Sequence, residues 1–191
     1  MSNDMNKNAD TVYNFFKSKG LNDNQTFAIM GNIQQESSFN SKATNKSSGA
    51  FGIFQWLGNR KTNLQNYALE KGTTSSNLNT QLDFAWYELT TSEKATLKAL
   101  EENENASVET LTELFEKKFE RSGGSALTER KNYAKEWASH YSNGTSVSSS
   151  NDKVDLSLGG NVVKVVTILL LIVLTVVFLM LTIKGGVKNG K

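Results

Sequence analysis

The chain has no cysteine, no proline and a single histidine, His140, in 191 residues. Without cysteine there is no thiolate nucleophile. Disulfides are excluded as well, which fits either a cytosolic or an external setting. Structural zinc sites are built largely from Cys and His, and catalytic zinc sites usually take two or three His, so no metal ligand set is expected. No other cofactor is expected either. A Ser/His/Asp triad would have to be built on His140, which falls at the end of the last predicted helix and reads as a surface residue. The absence of proline excludes no function. Charge of one sign is also scarce. Up to Asn143, 16 Lys+Arg stand against 17 Asp+Glu, and from Gly144 onward five lysines stand against two aspartates. A nucleic-acid binder carries a basic face or stripe, so nucleic acid is not an expected partner, whereas a weakly charged polymer such as a glycan is. If the chain is an enzyme, carboxylates carry its acid–base chemistry.

What is present is mainly helical patterning. Residues Met1–Asp10 are polar with no apolar h-region, so no signal peptide is expected there. Val12, Phe15, Phe16 and Lys19 predict a first helix that stops at Gly20. Asn22 as N-cap with Gln25 three residues on has the spacing of a capping box. The apolar positions Phe27, Ile29, Met30 and Ile33 carry that second helix toward Glu36. Ser37–Ser48 is polar and reads as loop. The segment from Gly49 to Trp56 is Gly-rich and aromatic, suited to a short strand or hairpin. Helical patterns return near Lys61–Lys71, Thr80–Leu89, Glu93–Glu101, Val108–Phe119 and Leu127–Tyr141. The expected fold is mainly α with one small extended element, followed by a single C-terminal transmembrane helix.

The division expected is a head over 1–141, a flexible linker over 142–161, a membrane span over 162–184 and a basic tail over 185–191. Ser142–Asn151 is linker by composition. Val165–Ile183 holds 19 residues and no charge. At ~1.5 Å per residue that is about 28 Å, close to the ~30 Å hydrocarbon core of a bilayer. Lys184, Lys188 and Lys191 outweigh Lys153 and Lys164, which favours a cytoplasmic C-terminus and an external head.

Glu36 is the one acidic residue between Asp23 and Glu70. Near it in sequence lie Lys42, Lys46, Arg60, Lys61 and the aromatics Phe39, Phe51, Phe54 and Trp56. A general acid working near neutral pH must hold its proton. A helix C-terminus and apolar neighbours push a carboxyl in that direction, and nearby cations push the other way. On Glu36 alone, a solvated helix-end glutamate is the simpler reading. Glycines in the following segment allow close backbone approach. Gln55 offers a donor and an acceptor to a sugar N-acetyl or hydroxyl group. Trp56 is suited either to an apolar platform for a sugar ring or to core packing. Two carboxylates serve ordinary glycosidases. Glu70, Asp83 and Glu88 could become the second only through folding.

Glu36-Ser37, a polar loop, then Ser48-Gly49-Ala50-Phe51-Gly52-Ile53-Phe54-Gln55-Trp56 resembles the signature of phage tail-associated lysozymes. Gln81 through Leu89, Phe115-x-x-x-Phe119-Glu120-Arg121 and Arg130-x-x-Tyr133-Ala134-x-x-Trp137 extend the resemblance over most of residues 10–141. That family is similar to goose-type lysozymes and soluble lytic transglycosylases, in which a Glu-Ser pair ends the catalytic helix and a Gly-x-x-Gly-[Ile/Leu]-x-Gln segment walls the cleft. Glu36 and Ser37 match the pair; Gly49, Gly52, Ile53 and Gln55 match the wall. Ser41 departs from it, because relatives often place proline after the Asn equivalent to Asn40.

The resemblance implies a lysozyme-like α+β fold, Glu36 as catalytic acid, and substrate contacts from Ser37, Gly49, Gly52, Gln55 and Trp56. It implies a peptidoglycan glycan strand as substrate, cut between N-acetylmuramic acid and N-acetylglucosamine by hydrolysis or transglycosylation. With the apolar run, it also implies an enzyme anchored in a virion membrane or tail tip beside other virion proteins, or in a bacterial membrane facing the wall. A non-catalytic wall-binding or structural virion protein with the same fold is the alternative. A holin-like membrane protein is a third reading, disfavoured because it would need no folded head.

Overall fold

The computed structural model describes residues 3–147. The expected transmembrane helix, the basic tail and most of the linker lie outside them. Among the described residues no helix is long and apolar enough to cross a membrane. The described residues are mainly helical, with seven α-helices, one π-turn and two isolated β-bridges.

Helix α1 (Asn3–Ser18) starts earlier than the apolar spacing predicts. Its polar first turns still deliver Ala9 to the core beside Val12 and Phe16, all three fully buried. Gly20 follows at φ +91, a left-handed position that suits glycine. Helix α2 (Asp23–Ser37) opens on the predicted capping box. Asn22 Oδ1 accepts from the Gln25 backbone N–H at 2.9 Å, and Gln25 Oε1 accepts from the Asn22 N–H at 2.7 Å. Every residue of α2 from Gln25 to Ile33 is buried, so this is a central helix wrapped on all sides, with a polar, accessible C-terminal end.

Around it come α3 (Gly58–Glu70), α4 (Leu78–Thr90), α5 (Lys94–Glu102), α6 (Val108–Phe115) and α7 (Leu127–Val147). The most extensive helix contact is α2 with α7. Gly31 makes it possible: a Cβ there would lie 2.5 Å from the Arg130 carbonyl oxygen and 2.7 Å from Ala134 Cβ. Two elements differ from expectation. The helix expected to run from Val108 to Phe119 changes at Glu116 into a π-turn, Glu116–Glu120, which ends on Arg121 at φ +57. The wider turn re-aims the side chains after it. It keeps Phe119 in the core against Phe54 and Phe115. The last helix continues past Tyr141 to Val147, with the Ser142 hydroxyl donating to the Ala138 carbonyl four residues back.

The small extended element is tighter than a strand. Phe51 and Trp56 exchange both backbone bonds, 3.0 and 2.9 Å, and Thr44 bridges Phe51 from the other side. Between them Gly52, at φ +80, brings its backbone against the Gln81 side chain, where a Cβ would meet the amide at 2.8 Å. Fully buried Gln81 locks the turn in place. Its Oε1 accepts from the Ile53 N–H at 2.9 Å, while its Nε2 donates to the carbonyls of Ser41 and Ser75. Ser41, in the place where proline is often found in relatives, is pinned a second time by its hydroxyl donating to the Ser76 carbonyl at 2.8 Å.

Candidate active site

Glu36 stands in the last turn of α2 with its side chain 18 % exposed. The chain leaves the helix through Ser38 (φ +51) and Phe39 (φ +61), two successive non-glycine residues in the left-handed region. Phe39 holds that geometry by being fully buried, edge-on to Trp137, with its carbonyl accepting from Asn8 Nδ2. Gln55, facing from the turn, is a third such residue at φ +46. Strain of this kind costs of order 1–3 kcal/mol per residue and gathers at functional sites.

The cation that meets Glu36 comes from far along the chain. Arg130 of α7, nearly fully buried, donates from Nη2 to Glu36 Oε1 at 2.6 Å and from Nη1 to Asn32 Oδ1 at 3.1 Å. Asn32 and Glu36 lie one turn apart on the same face of α2, so one planar fork spans both. Asn32 is itself tied by Nδ2 to the Ala28 and Thr112 carbonyls. Among the described residues, no side chain donates to Glu36 Oε2. Of the basic residues near it in sequence, Lys42 and Lys46 are exposed, Arg60 pairs with Glu88, and Lys61 Nζ donates to the Gly49 carbonyl at 2.8 Å.

The other predicted contacts sort differently. The Ser37 hydroxyl lies 3.1 Å from both the Ile33 and Ile53 carbonyls, joining the end of α2 to the glycine-rich turn. Gly52 is required by Gln81, not by a ligand. Gly49, at φ +77, has open space where a Cβ would be and lends its carbonyl to Lys61. Gln55 Nε2 donates to the Gly52 carbonyl at 2.9 Å, which leaves Oε1 as its free polar atom. Trp56 is a correction. It is 1 % exposed, packed against Phe54 and Phe84, and its Nε1–H donates to Glu88 Oε2 at 2.8 Å. A ring this buried cannot stack on a sugar; it braces a carboxylate.

None of the three expected second carboxyls is free beside Glu36. Glu70 and Asp83 are exposed on the α3 and α4 surfaces beside Tyr67. Glu88 is held by the Arg60 guanidinium at 2.7 and 2.9 Å and by Trp56. The carboxyl that does feel Glu36 is Glu120, at the end of the π-turn. The residue is partly accessible, yet its Oε1 is shut off from solvent and has no hydrogen-bond partner. Burial pushes the Glu120 carboxyl well above the usual carboxylate range, and the charge of Glu36 adds to that push. Arg130 and Arg60 oppose it. Glu116, four residues earlier, has the opposite balance. Burial disfavours its anion, but the Ser122 hydroxyl at 2.6 Å, the Gly124 N–H at 3.0 Å and Arg130 outweigh this and hold it below that range.

A helix-end carboxylate held by an arginine, with a second carboxyl raised by burial in the neighbouring π-turn, is the kind of arrangement that acid–base sites use. Residues 7–141 match the model of the phage tail lysozyme family. The chain belongs to the phage tail lysozyme family. This membership carries a lysozyme-like, peptidoglycan-degrading function, and the match covers most of the helical unit, with Glu36, Arg130 and Glu120 inside it. Among curated proteins none matches the chain. A concavity of about 780 Å³ between α3 and α4 is lined by Tyr67, Tyr87 and Glu70 and does not include Glu36. It touches the site from behind, through Arg60 and Glu88.

Motif reasoning missed Arg130 and Glu120 as functional residues, although both fall within the segments that carry the family resemblance. No composition or spacing signal singles out either one, since their roles arise from contacts 94 residues apart in the one case and from burial in the other.

Proposed function

We propose that the chain cleaves the β-1,4 bond between N-acetylmuramic acid and N-acetylglucosamine with Glu36 as general acid, opening the host wall locally as a phage genome enters. One observation carries the reading: Glu36 sits at an accessible helix end, held by Arg130 through one oxygen only. Oε2 is then the oxygen that gives a proton to the glycosidic oxygen. In the second step the same residue takes a proton from an attacking water, or from the sugar's own 6-hydroxyl. The apolar run over 165–183 would anchor the enzyme in a virion membrane, a tail tip or the cell membrane.

The Arg130–Glu36 ion pair also supports a second reading, a wall-binding module that keeps the fold without turnover. The deciding experiment is clearing of purified peptidoglycan by the full chain, wild type beside Glu36→Gln, with mass spectrometry of the fragments. The enzyme reading expects a loss of about 10²-fold or more in the mutant. Reducing ends would mark a hydrolase and anhydro ends a transglycosylase. Equal clearing by both proteins, or none by a folded wild type across wall types, would overturn it.

A further inference from the structure

The concavity between α3 and α4 has no part in the proposed bond cleavage, and its lining is of one kind. The floor is aromatic. Phe84 is buried against Trp56, and Tyr67 and Tyr87 pack on it with ring centroids 5.5 and 6.3 Å away. The two tyrosine rings lie 5.6 Å apart at 35°, so they form one shallow platform, and Tyr87 is 50 % exposed. The rim is polar and uncommitted. Asn63, Asn66 and Tyr67 stand at i, i+3 and i+4 on α3, on one face of the helix. Among the described residues, neither asparagine amide, nor the Ser92 hydroxyl, nor either tyrosine hydroxyl makes a hydrogen bond within the protein. Charge is balanced. Arg60 and Glu88 neutralise each other, Glu93 pairs with Arg121, and exposed Glu70 and Lys71 are opposite in sign. An ionic ligand therefore meets no net field here. Flat apolar rings, spare amide and hydroxyl groups and no net charge are complementary to a neutral sugar, which has an apolar ring face and a rim of hydroxyl and N-acetyl groups. The volume of about 780 Å³ falls within the ~300–1,000 Å³ of small-ligand sites.

We propose that this face binds the uncharged sugars of the peptidoglycan glycan strand, as a second contact separate from the one at Glu36. The choice of polymer rests on the proposed reaction, since that is the strand the reaction cuts. Glu36, Ser37 and Gln55 do not line the concavity. Arg60 and Glu88 form its inner wall, and Glu88 is in turn bonded by the buried Trp56 indole at 2.8 Å. A sugar ring lies on Tyr87 and Tyr67, with its hydroxyl and N-acetyl groups bonded by Asn63 and Asn66. The contact takes no part in the chemistry. It adds hold on a long strand, because two linked contacts keep the second in reach when the first lets go.

The test is co-sedimentation of the full chain carrying Glu36→Gln with purified peptidoglycan, which reads binding without turnover. Adding Tyr87→Ala removes a half-exposed ring and is expected to weaken wall binding about tenfold. Unchanged affinity in that variant, with its fold checked by circular dichroism, overturns the site. Glycan strands stripped of their stem peptides by an amidase should show the same dependence on Tyr87. If the dependence passes instead to free stem peptides, the face takes peptide and the sugar assignment falls. Should Tyr87→Ala fail to fold, a tetramer of N-acetylglucosamine is titrated into the ¹⁵N-labelled Glu36→Gln chain. Amide shifts are expected at Asn66, Tyr67 and Tyr87, and shifts confined to residues 36–56 overturn the site. If Glu36→Gln clears walls like wild type, the proposed reaction falls, and the site is then judged on the tetramer titration alone.

Discussion

Arg130 joins α7 to α2 by bonding Asn32 and Glu36 at once, so its removal strands two buried or half-buried partners. Arg130→Met keeps most of the side-chain volume and is expected to destabilise the fold by about 3 kcal/mol, the usual cost of leaving one half of a buried ion pair unmatched. Urea unfolding measures this directly; an unchanged midpoint would mean that water replaces the fork without loss. Glu120 predicts a pH dependence of stability. Its carboxyl is raised in the fold, so the folded state binds more protons than the unfolded one above the ordinary carboxylate value. The stabilisation is fully present below that value and is lost as pH rises through the raised one. Wild type should therefore lose stability on the alkaline side, whereas Glu120→Gln should hold level there. Parallel unfolding midpoints for the two proteins as pH rises above the ordinary carboxylate range would locate the titration elsewhere. Glu116 works in the other direction, because its lowered carboxyl contributes above the ordinary value and loses that contribution as pH falls.

At the scale of elements, the site is set by how closely α7 approaches α2. Gly31→Ala puts a methyl group onto the Arg130 carbonyl and Ala134, both too near to accept it. Overpacking of this kind costs about 1–3 kcal/mol, and here it also moves the backbone that carries Arg130. The expected result is a lower melting temperature together with weaker wall clearing; wild-type values for both would show that α7 can slide without consequence. The glycine-rich turn depends on Gln81 in the same way. Gln81→Ala leaves the Ile53 N–H and the Ser41 and Ser75 carbonyls without their partner. The loss is expected at about 2–3 kcal/mol, from the 1–3 kcal/mol of each stranded group with partial relief by water. Hydrogen exchange of the Ile53 amide is the local readout, and it should accelerate in the variant.

For the whole molecule, the open question is how a near-neutral enzymatic head is held near its wall substrate. The run over 165–183 has the length and composition of a single span. The full chain is accordingly expected to stay with membranes through a carbonate wash. Replacing Leu171 and Leu174 by arginine, at roughly 3 kcal/mol each near the centre of a span, should release it. Retention of the double mutant would show that the head, not the apolar run, holds the membrane.

The sequence by itself determined the helical elements, because capping and apolar spacing are local. The Asn22–Gln25 box formed as written, and Gly20 closed the first helix. It also singled out Glu36, a lone acid at a helix end before a glycine-rich turn, and the order of motifs placed the chain in its family. Burial and long-range pairing are not local, and there only the tertiary structure decided. Trp56 has the same composition signal whether it faces a sugar or the core, and the packing of Phe54 and Phe84 with the Glu88 acceptor turned it inward. The arginine for Glu36 came from α7 and not from the lysines beside it in sequence, because Gly31 lets that helix approach most closely. Glu120, one glutamate among many in the sequence, became distinct only when the π-turn buried its Oε1 without a hydrogen-bond partner.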